Sequence, residues 1–444
     1  MQKEEKSKDT TEELYKEALK RHKKYRGKLE VISKVPFKEY RDLGIYYTPG
    51  VAKASEVVSK DKEKVWELTN RYNYVAIVSD GTRVLGLGDI GPEAGLPVME
   101  GKGFLFKALG GVDAFPIVLG TKNRDEIVKT VKYLQPGFGG VNLEDIESPK
   151  CFYVLEKLQD ELEIPVWHDD AQGTALVTLG GLINALKVIG KKKEEVKIAL
   201  LGAGAAGLTF VKFLKRYGFP TKNMILLDSH GPLYRGRGKN MNPWKKRYAK
   251  QTNPELLGKD LKGKPREKAD KGLKLALEGA DVLISASKPG DWLPGEYIEH
   301  MADEAIVFSE ANPVPEITPP RAKKHGAKIV ATGRSDWSNQ INNVLGFPAL
   351  FRGALDVAAK EINDEMVEAA GIALAEAMEQ ELSEEYILPK ADEEEWAPRE
   401  AAAVAEAAIK SGSARIKKSK DEVYEHTKEL IAHHRKINKF IFNF

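Results

Sequence analysis

Two pairs of adjacent carboxylates are placed where open α/β folds carry out chemistry: Glu144-Asp145 and Asp169-Asp170. Each follows a short apolar run, Gly140-Val141-Asn142-Leu143 or Ile164-Pro165-Val166-Trp167, that reads as a buried strand. A helix from Cys151 to Glu163 is predicted between them. Parallel strands joined by a helix bring their carboxyl ends to one sheet edge, so the four acids are expected to converge. Gathered and unpaired they would repel. The simplest remedy is a divalent cation held by oxygen ligands, Mg²⁺ or Mn²⁺. His168 adjoins the second pair, but the oxygen-rich set argues against zinc. Read alone, Asp169, Asp170 and Thr174 are better explained as caps of the next helix, and it is the rest of the chain that turns the reading toward chemistry.

A second constellation is Gly202-Ala203-Gly204-Ala205-Ala206-Gly207. It follows the apolar strand Val196–Leu201 and runs into a helix to Tyr217; a strand from Met224 then ends on Asp228. Strand, glycines, helix, strand and acid in that order form a dinucleotide-binding fingerprint. The glycines let the backbone approach a pyrophosphate at the helix N-terminus, and Asp228 is the expected acceptor of ribose hydroxyls. Groups able to move protons are Lys102 and Lys107, on an apolar helix read from Val98 to Leu109, and Tyr47, just before the Thr48-Pro49-Gly50 turn. Desolvation would lower a lysine's pKa toward general-base values; the plainer assignment is a stem packed on the helix with its head in water.

The elements that must position these groups follow from pattern. Residues 1–30 read as a charged helix, and the chain after Gly50 as a helix to Asn70. Asn73 to Gly91 reads as a hairpin, with Tyr74–Val78 going out and Arg83–Leu87 returning. A Pro92–Pro97 loop, a strand from Ala114 to Leu119 and a helix to Leu134 come next. Thr174 to Val188 is a helix. Gly231 to Lys271 is a basic excursion whose neighbours His230, Arg235, Arg237 and Lys239 lie at the adenosine ribose end. Strands at Asp281–Ala286, Ala305–Ser309 and Lys328–Gly333 resume the sheet, and Leu350 to Gln380 reads as helical. The tail is predicted helical, and its last aromatics are expected to dock on the body or on another subunit.

Composition narrows the function class. The 444 residues are 42% hydrophobic and 30% charged, with a formal net charge of +3. So small a charge argues against nucleic acid or a membrane as the main partner. No apolar run is seen to approach the ~20 residues of a membrane span, and the N-terminus lacks a signal peptide. One cysteine, Cys151, excludes an intrachain disulfide and fits the cytoplasm.

Taken together the motifs resemble malic enzyme, in its shorter prokaryotic or archaeal form. The stretches that carry the likeness are Tyr47–Ala52, Gly86–Gly91, Leu96–Lys107, Asn142–Ile146, His168–Thr174, Glu310–Pro313 and Gln340–Val344, in the family's order. The resemblance implies an N-terminal α/β malic-type domain and a Rossmann-like NAD(P)-binding domain, with helical extensions at both ends. The boundaries are set at 1–30, 31–166, 167–390 and 391–444. It implies oxidative decarboxylation of L-malate to pyruvate and CO₂ with reduction of NAD or NADP. Tyr47 matches the family's acid and Lys102 its base, with Lys107 as runner-up. Glu144, Asp145 and Asp170 match the metal ligands, with Asp169 as their neighbour. Arg83 matches a substrate-carboxylate arginine. Asn312 and Asn343, with Asn342 beside it, match amides that face substrate and cofactor. Asp228 favours NAD and the basic excursion NADP. A homodimer is expected, with no appended acyltransferase-like domain. The alternatives are a metal-dependent oxaloacetate decarboxylase and a non-catalytic NAD(P)-sensing module.

Overall fold

The computed structural model describes residues 2–252, 265–378 and 382–442. Strands β1 (Tyr74–Ser79), β2 (Asp113–Val118), β3 (Gly140–Leu143) and β4 (Val166–His168) form a parallel sheet in the order β2-β1-β3-β4. Val75 to Val78 are wholly buried, as a continuous apolar run in a central parallel strand should be. The hairpin expected after β1 does not form. Both edges of β1 are taken, by β2 and β3, so no edge remains for a returning strand. Arg83–Leu87 is instead a loop with a single bridge, Val84 to Gly88.

The helix that carries both candidate lysines spans Pro92–Gly110. Pro92 sits in its first turn, where a missing N–H costs nothing, so the expected Pro92–Pro97 loop is helix already. The helix expected from Gly50 to Asn70 breaks at Asp61 into Val51–Lys60 and Val65–Leu68. The one expected from Leu350 divides into Phe347–Asp356 and Asp364–Glu376, and Gln380 lies outside the described residues.

The second sheet holds β5 (Ile198–Leu201), β6 (Met224–Asp228), β7 (Gly231–Pro232), β8 (Val282–Ser285), β9 (Ile306–Ser309) and β10 (Ile329–Thr332). Its order is β10-β9-β8-β5-β6-β7, parallel except for the short β7. The basic excursion contributes β7 and the helices Pro243–Tyr248 and Pro265–Leu277; residues 253–264 lie outside the described set.

The Thr174–Ile189 helix leaves the first sheet's last strand through the Asp169–Gly173 turn, packs on the Ala205–Arg216 and Asp364–Glu376 helices, and is buried from Ala175 through Leu186. Full burial of a side chain such as Leu176 or Leu182 contributes about 1.5–3 kcal/mol. The stretch Asp169–Ile189 is, by length and composition, apolar enough to cross a membrane, contrary to the expectation of no such run. In the fold 72% of it is buried inside the protein, the place of a helix that is hydrophobic all round.

The C-terminal helices fold back. Trp396–Lys410 packs on Phe347–Asp356 and Asp364–Glu376, and Lys420–Phe442 packs on it and on Pro92–Gly110. The buried Arg352–Asp356 pair, 2.7 Å apart, also holds His426 of the last helix at 2.8 Å. Of the terminal aromatics, Phe442 meets Tyr25 of the Gln2–Tyr25 helix edge-on at 6.1 Å, while Phe440 is exposed; Phe444 lies outside the described residues.

Candidate active site

The register of β3 against β4 pairs Leu143 with His168, so the two acidic pairs meet just past the strand ends. Glu144, Asp145 and Asp170 each offer one oxygen, and the three lie within 4.8 Å of one another. Asp145 has φ 53°, a left-handed conformation rare outside glycine. Its carbonyl accepts from the Arg83 amide at 3.0 Å, and its own amide donates to Asp170 Oδ2 at 2.9 Å. Such an outlier stores about 1–3 kcal/mol and persists only where its surroundings enforce it.

Charge makes the cluster unstable alone. Burial, then Asp170, pushes the Asp145 carboxyl up to about 8. Burial also holds Glu144 well above the usual range; Lys102 opposes this, and the neighbouring acids add to it. Asp145 Oδ2 is buried without a hydrogen-bond partner. An all-oxygen, excess-negative, partly unsatisfied set fits a hard divalent cation. His168 is no part of it: the ring is buried with both nitrogens unpartnered, and burial holds it below its usual pKa.

Lys102 is 7% exposed. Its Nζ lies 2.5 Å from Asp169 Oδ2, 3.0 Å from Glu144 Oε1 and 4.1 Å from the centre of the Phe347 ring. Burial pulls its pKa down, but Asp169 and Glu144 outweigh burial and hold the ammonium above its ordinary range. The desolvated, easily neutralised lysine expected from sequence is therefore corrected for this state of the site. Asp169 is fully buried. Its other oxygen accepts from Trp167 Nε1 at 3.0 Å, so the carboxylate is aimed at Lys102 rather than at the triad. Gly173 permits this turn, because a Cβ there would lie 2.0 Å from Asp169 Oδ1. Sequence reasoning missed Phe347 and the Trp167 nitrogen; no spacing pattern links Phe347 to Lys102.

The other candidates divide. Lys107 lies apart from the carboxylates and pairs with Asp113 at 2.7 Å, at the start of β2. Arg83 is exposed beside Asp145 and lowers that acid's pKa. Asn343 lies against the acidic turn, its Cβ 3.2 Å from where a Gly173 Cβ would be. The Asn342 amide is spent on its own loop, donating to Gly333 O and accepting from Val344 N, both at 3.0 Å. Asn312 is exposed where the second sheet's loop meets the first domain: a Cβ on Gly86 would lie 3.1 Å from its carbonyl and 2.9 Å from Pro313 Cδ. Tyr47 is not brought to the carboxylates by contacts within its own chain. It is 66% exposed, and its hydroxyl makes no hydrogen bond among the described residues.

The glycine loop has the geometry a pyrophosphate needs. Gly202 has φ 116°, and a Cβ on it would strike Ala286 O at 2.3 Å; one on Gly207 would strike Gly202 O at 1.6 Å. Gly204, just before the Ala205–Arg216 helix, faces open space. Ala203 is buried, and Ala205 and Ala206 open the helix. These are the tight turn, the open approach and the close helix packing of the fingerprint. Asp228 departs from its expected use. Its carboxylate accepts from Arg237 at 2.7 and 2.9 Å, Lys245 at 2.7 Å, Asn240 at 3.1 Å and the His230 amide at 2.8 Å. Its side chain is 6% exposed. Burial raises its pKa, and Lys245 and Arg237 bring it below the ordinary value. The acid ties down the basic excursion rather than presenting free lone pairs.

Residues 26–159 match the family model described as malic enzyme, N-terminal domain, and 171–409 match malic enzyme, NAD binding domain. A bifunctional malic/malolactic enzyme of Bacillus subtilis is 49% identical over 94% of this chain and 98% of its own. An NAD-dependent malic enzyme of Geobacillus stearothermophilus is 49% identical over 88% and 78%. An NADP-dependent malic enzyme of Haemophilus influenzae is 41% identical over 91% of this chain and 54% of its own. The crystal structure of malic enzyme from Pyrococcus horikoshii Ot3 superposes with a TM-score of 0.87 at 49% identity, covering 94% of each chain.

Proposed function

The chain belongs to the malic enzyme family and catalyses the oxidative decarboxylation of L-malate with reduction of NAD(P), and we propose that this chemistry runs on Lys102, Tyr47 and the Glu144, Asp145, Asp170 triad. The observation that carries the assignment is the carboxylate triad, buried at Glu144 and Asp145 and half-buried at Asp170, with Lys102 Nζ 3.0 Å from Glu144.

A divalent cation and a nicotinamide bound here supply the Lewis acid and the hydride acceptor. Lys102 takes the proton of the malate C2 hydroxyl, and Asp169 with the Phe347 face keeps its Nζ aimed at that oxygen. A cation held by Glu144, Asp145 and Asp170 would offset the Glu144 charge that helps hold the ammonium, and so would favour the neutral amine of Lys102. Arg83 takes a malate carboxylate, and Asn312 and Asn343 hold substrate and cofactor from the second sheet's side. After CO₂ leaves, Tyr47 protonates C3 of the three-carbon product. The seam set between residues 166 and 167 would cut β4, whose Trp167 and His168 still pair with β3, so the first domain is carried through His168 to the acidic turn.

Tyr47 stands in a stretch rich in exposed apolar side chains, among them Leu19, Val31, Phe37, Tyr40 and Ile45. So large an apolar surface is suited to burial against another chain. We propose a homodimer that covers it and brings Tyr47 to an active site. The free, buried thiol of Cys151 suits the cytoplasm, where we place the enzyme.

The test is one assay of purified protein with L-malate and Mn²⁺, run separately with NAD and NADP. Pyruvate and reduced cofactor are expected in equal amounts. Pyruvate from oxaloacetate, with no reduced cofactor from malate, would favour the simple decarboxylase instead.

A further inference from the structure

Glu310 lies outside the metal triad and has no part in the mechanism above. It follows β9 directly and precedes Ala311-Asn312-Pro313. It is 8% exposed, and its Oε2 is buried without a partner. Its Oε1 lies 2.8 Å from Thr178 Oγ1, and that hydroxyl lies 2.7 Å from the Thr174 carbonyl. Thr178 has one hydroxyl proton for two oxygens. If Glu310 were a carboxylate, that one proton would have to turn away from the carbonyl to meet it, Oε2 would still lack a donor, and a buried charge would stand with no cation beside it. A protonated Glu310 resolves this: its O–H donates to Thr178, and Thr178 donates to Thr174.

The surroundings favour the neutral acid. The charged group acting on Glu310 is Glu316, which repels a second negative charge, and no cation pairs with Glu310 among the described residues. Burial, the larger cause, pushes the Glu310 carboxyl well above its ordinary range. Glu316 is itself tied to the neighbouring loops, accepting from Ser287 and Ser309 hydroxyls at 2.9 Å.

The contact joins two parts of the site. Thr178 is one turn along the helix that leaves the Asp169–Gly173 turn, and Glu310 anchors the loop whose Asn312 and Pro313 meet Gly86 of the first domain. We propose that Glu310 is a positioning residue acting as a neutral carboxylic acid, whose proton clamps the Asn312 loop to the Thr174–Ile189 helix and whose loss as pH rises weakens malate binding. This rests on the reading of Asn312 as a substrate-side amide.

The experiment is the pH dependence of KM for malate in the wild type, Glu310→Gln, Glu310→Ala and Asn312→Ala, with infrared difference spectra of wild type against Glu310→Gln. Wild-type KM is expected to rise by about tenfold per pH unit once Glu310 ionises. Glutamine presents an N–H where the acid presents its O–H, so Glu310→Gln is expected to lose the rise with pH, while Glu310→Ala raises KM at every pH. The difference spectrum should show a protonated-carboxyl carbonyl band that the variant lacks. If Glu310→Gln does not fold, Thr178→Val is expected to raise KM at neutral pH and shift that band. An unchanged rise with pH in Glu310→Gln, or no such band, overturns the proposal. Asn312→Ala with wild-type KM overturns the reading of the loop, while the infrared result still decides the protonation of Glu310.

Discussion

Lys102 Nζ and Asp169 Oδ2 are 2.5 Å apart in a buried pocket, and the second Asp169 oxygen is held by Trp167. The carboxylate both aims the lysine and raises its pKa. In Asp169→Asn the aim is partly kept and the charge is lost. The acidic limb of the kcat/KM profile is expected to move to lower pH, because a lysine freed of an anion yields its proton more readily. A profile unmoved by this change would separate Asp169 from the lysine's ionisation.

Asp170→Ala removes one oxygen of the triad and leaves the glycine loop untouched. Mn²⁺ affinity is expected to fall by more than about tenfold, the lower end of what even outer contacts to ligands are worth. Cofactor affinity should hold. Titrating Mn²⁺ and NAD(P) separately by fluorescence checks both, and retained Mn²⁺ affinity would show the ligand set to be wrong.

Gly204→Ala and Gly207→Ala should part company. The first places a Cβ in open space, so the protein folds and cofactor binding weakens where the pyrophosphate must approach. The second places a Cβ 1.6 Å from a backbone oxygen, and overpacking of this kind typically costs about 1–3 kcal/mol or more. Thermal melts with and without cofactor distinguish the two.

Glu400 supplies a pH test away from the site. It is fully buried, neither oxygen has a hydrogen-bond partner, and burial raises its pKa well above the ordinary glutamate value of 4.5. The unfolded chain therefore loses this proton first. Stability falls as pH rises from 4.5 toward the raised folded value, at up to about 1.4 kcal/mol per pH unit. Glu400→Gln is expected to raise Tm at pH 8 and to change it little near pH 4. An equal Tm change at both values would count against a buried neutral acid.

The parts legible in sequence were those fixed by local pattern. Gly202 to Gly207 announced their own turn, and the two acidic strand ends announced their convergence, because parallel topology leaves them nowhere else to go. What escaped depends on partners far along the chain. Arg83–Leu87 reads as a strand returning from a turn, yet β2 and β3 hold both edges of β1. Asp228 stands at the fingerprint's distance, yet Arg237 and Lys245 fold back onto it. Lys102 looked like a desolvated base, and only the fold brings Asp169 and Glu144 against it. Tyr47 stands out as a hydroxyl just before the Thr48-Pro49-Gly50 turn, yet nothing local shows that the turn leaves it 66% exposed and away from the carboxylates.

The most direct test compares Lys102→Ala with Lys107→Ala, two changes on one helix. Malate oxidation with Mn²⁺ and NAD(P) is followed alongside Mn²⁺ binding. Lys102→Ala is expected to lose about 10²–10⁴-fold in kcat while still binding Mn²⁺, and Lys107→Ala, whose lysine pairs with Asp113, to keep wild-type kcat. A Lys102→Ala enzyme within a few fold of wild type, or a Lys107→Ala enzyme that alone is inactive, would contradict the assignment of the base.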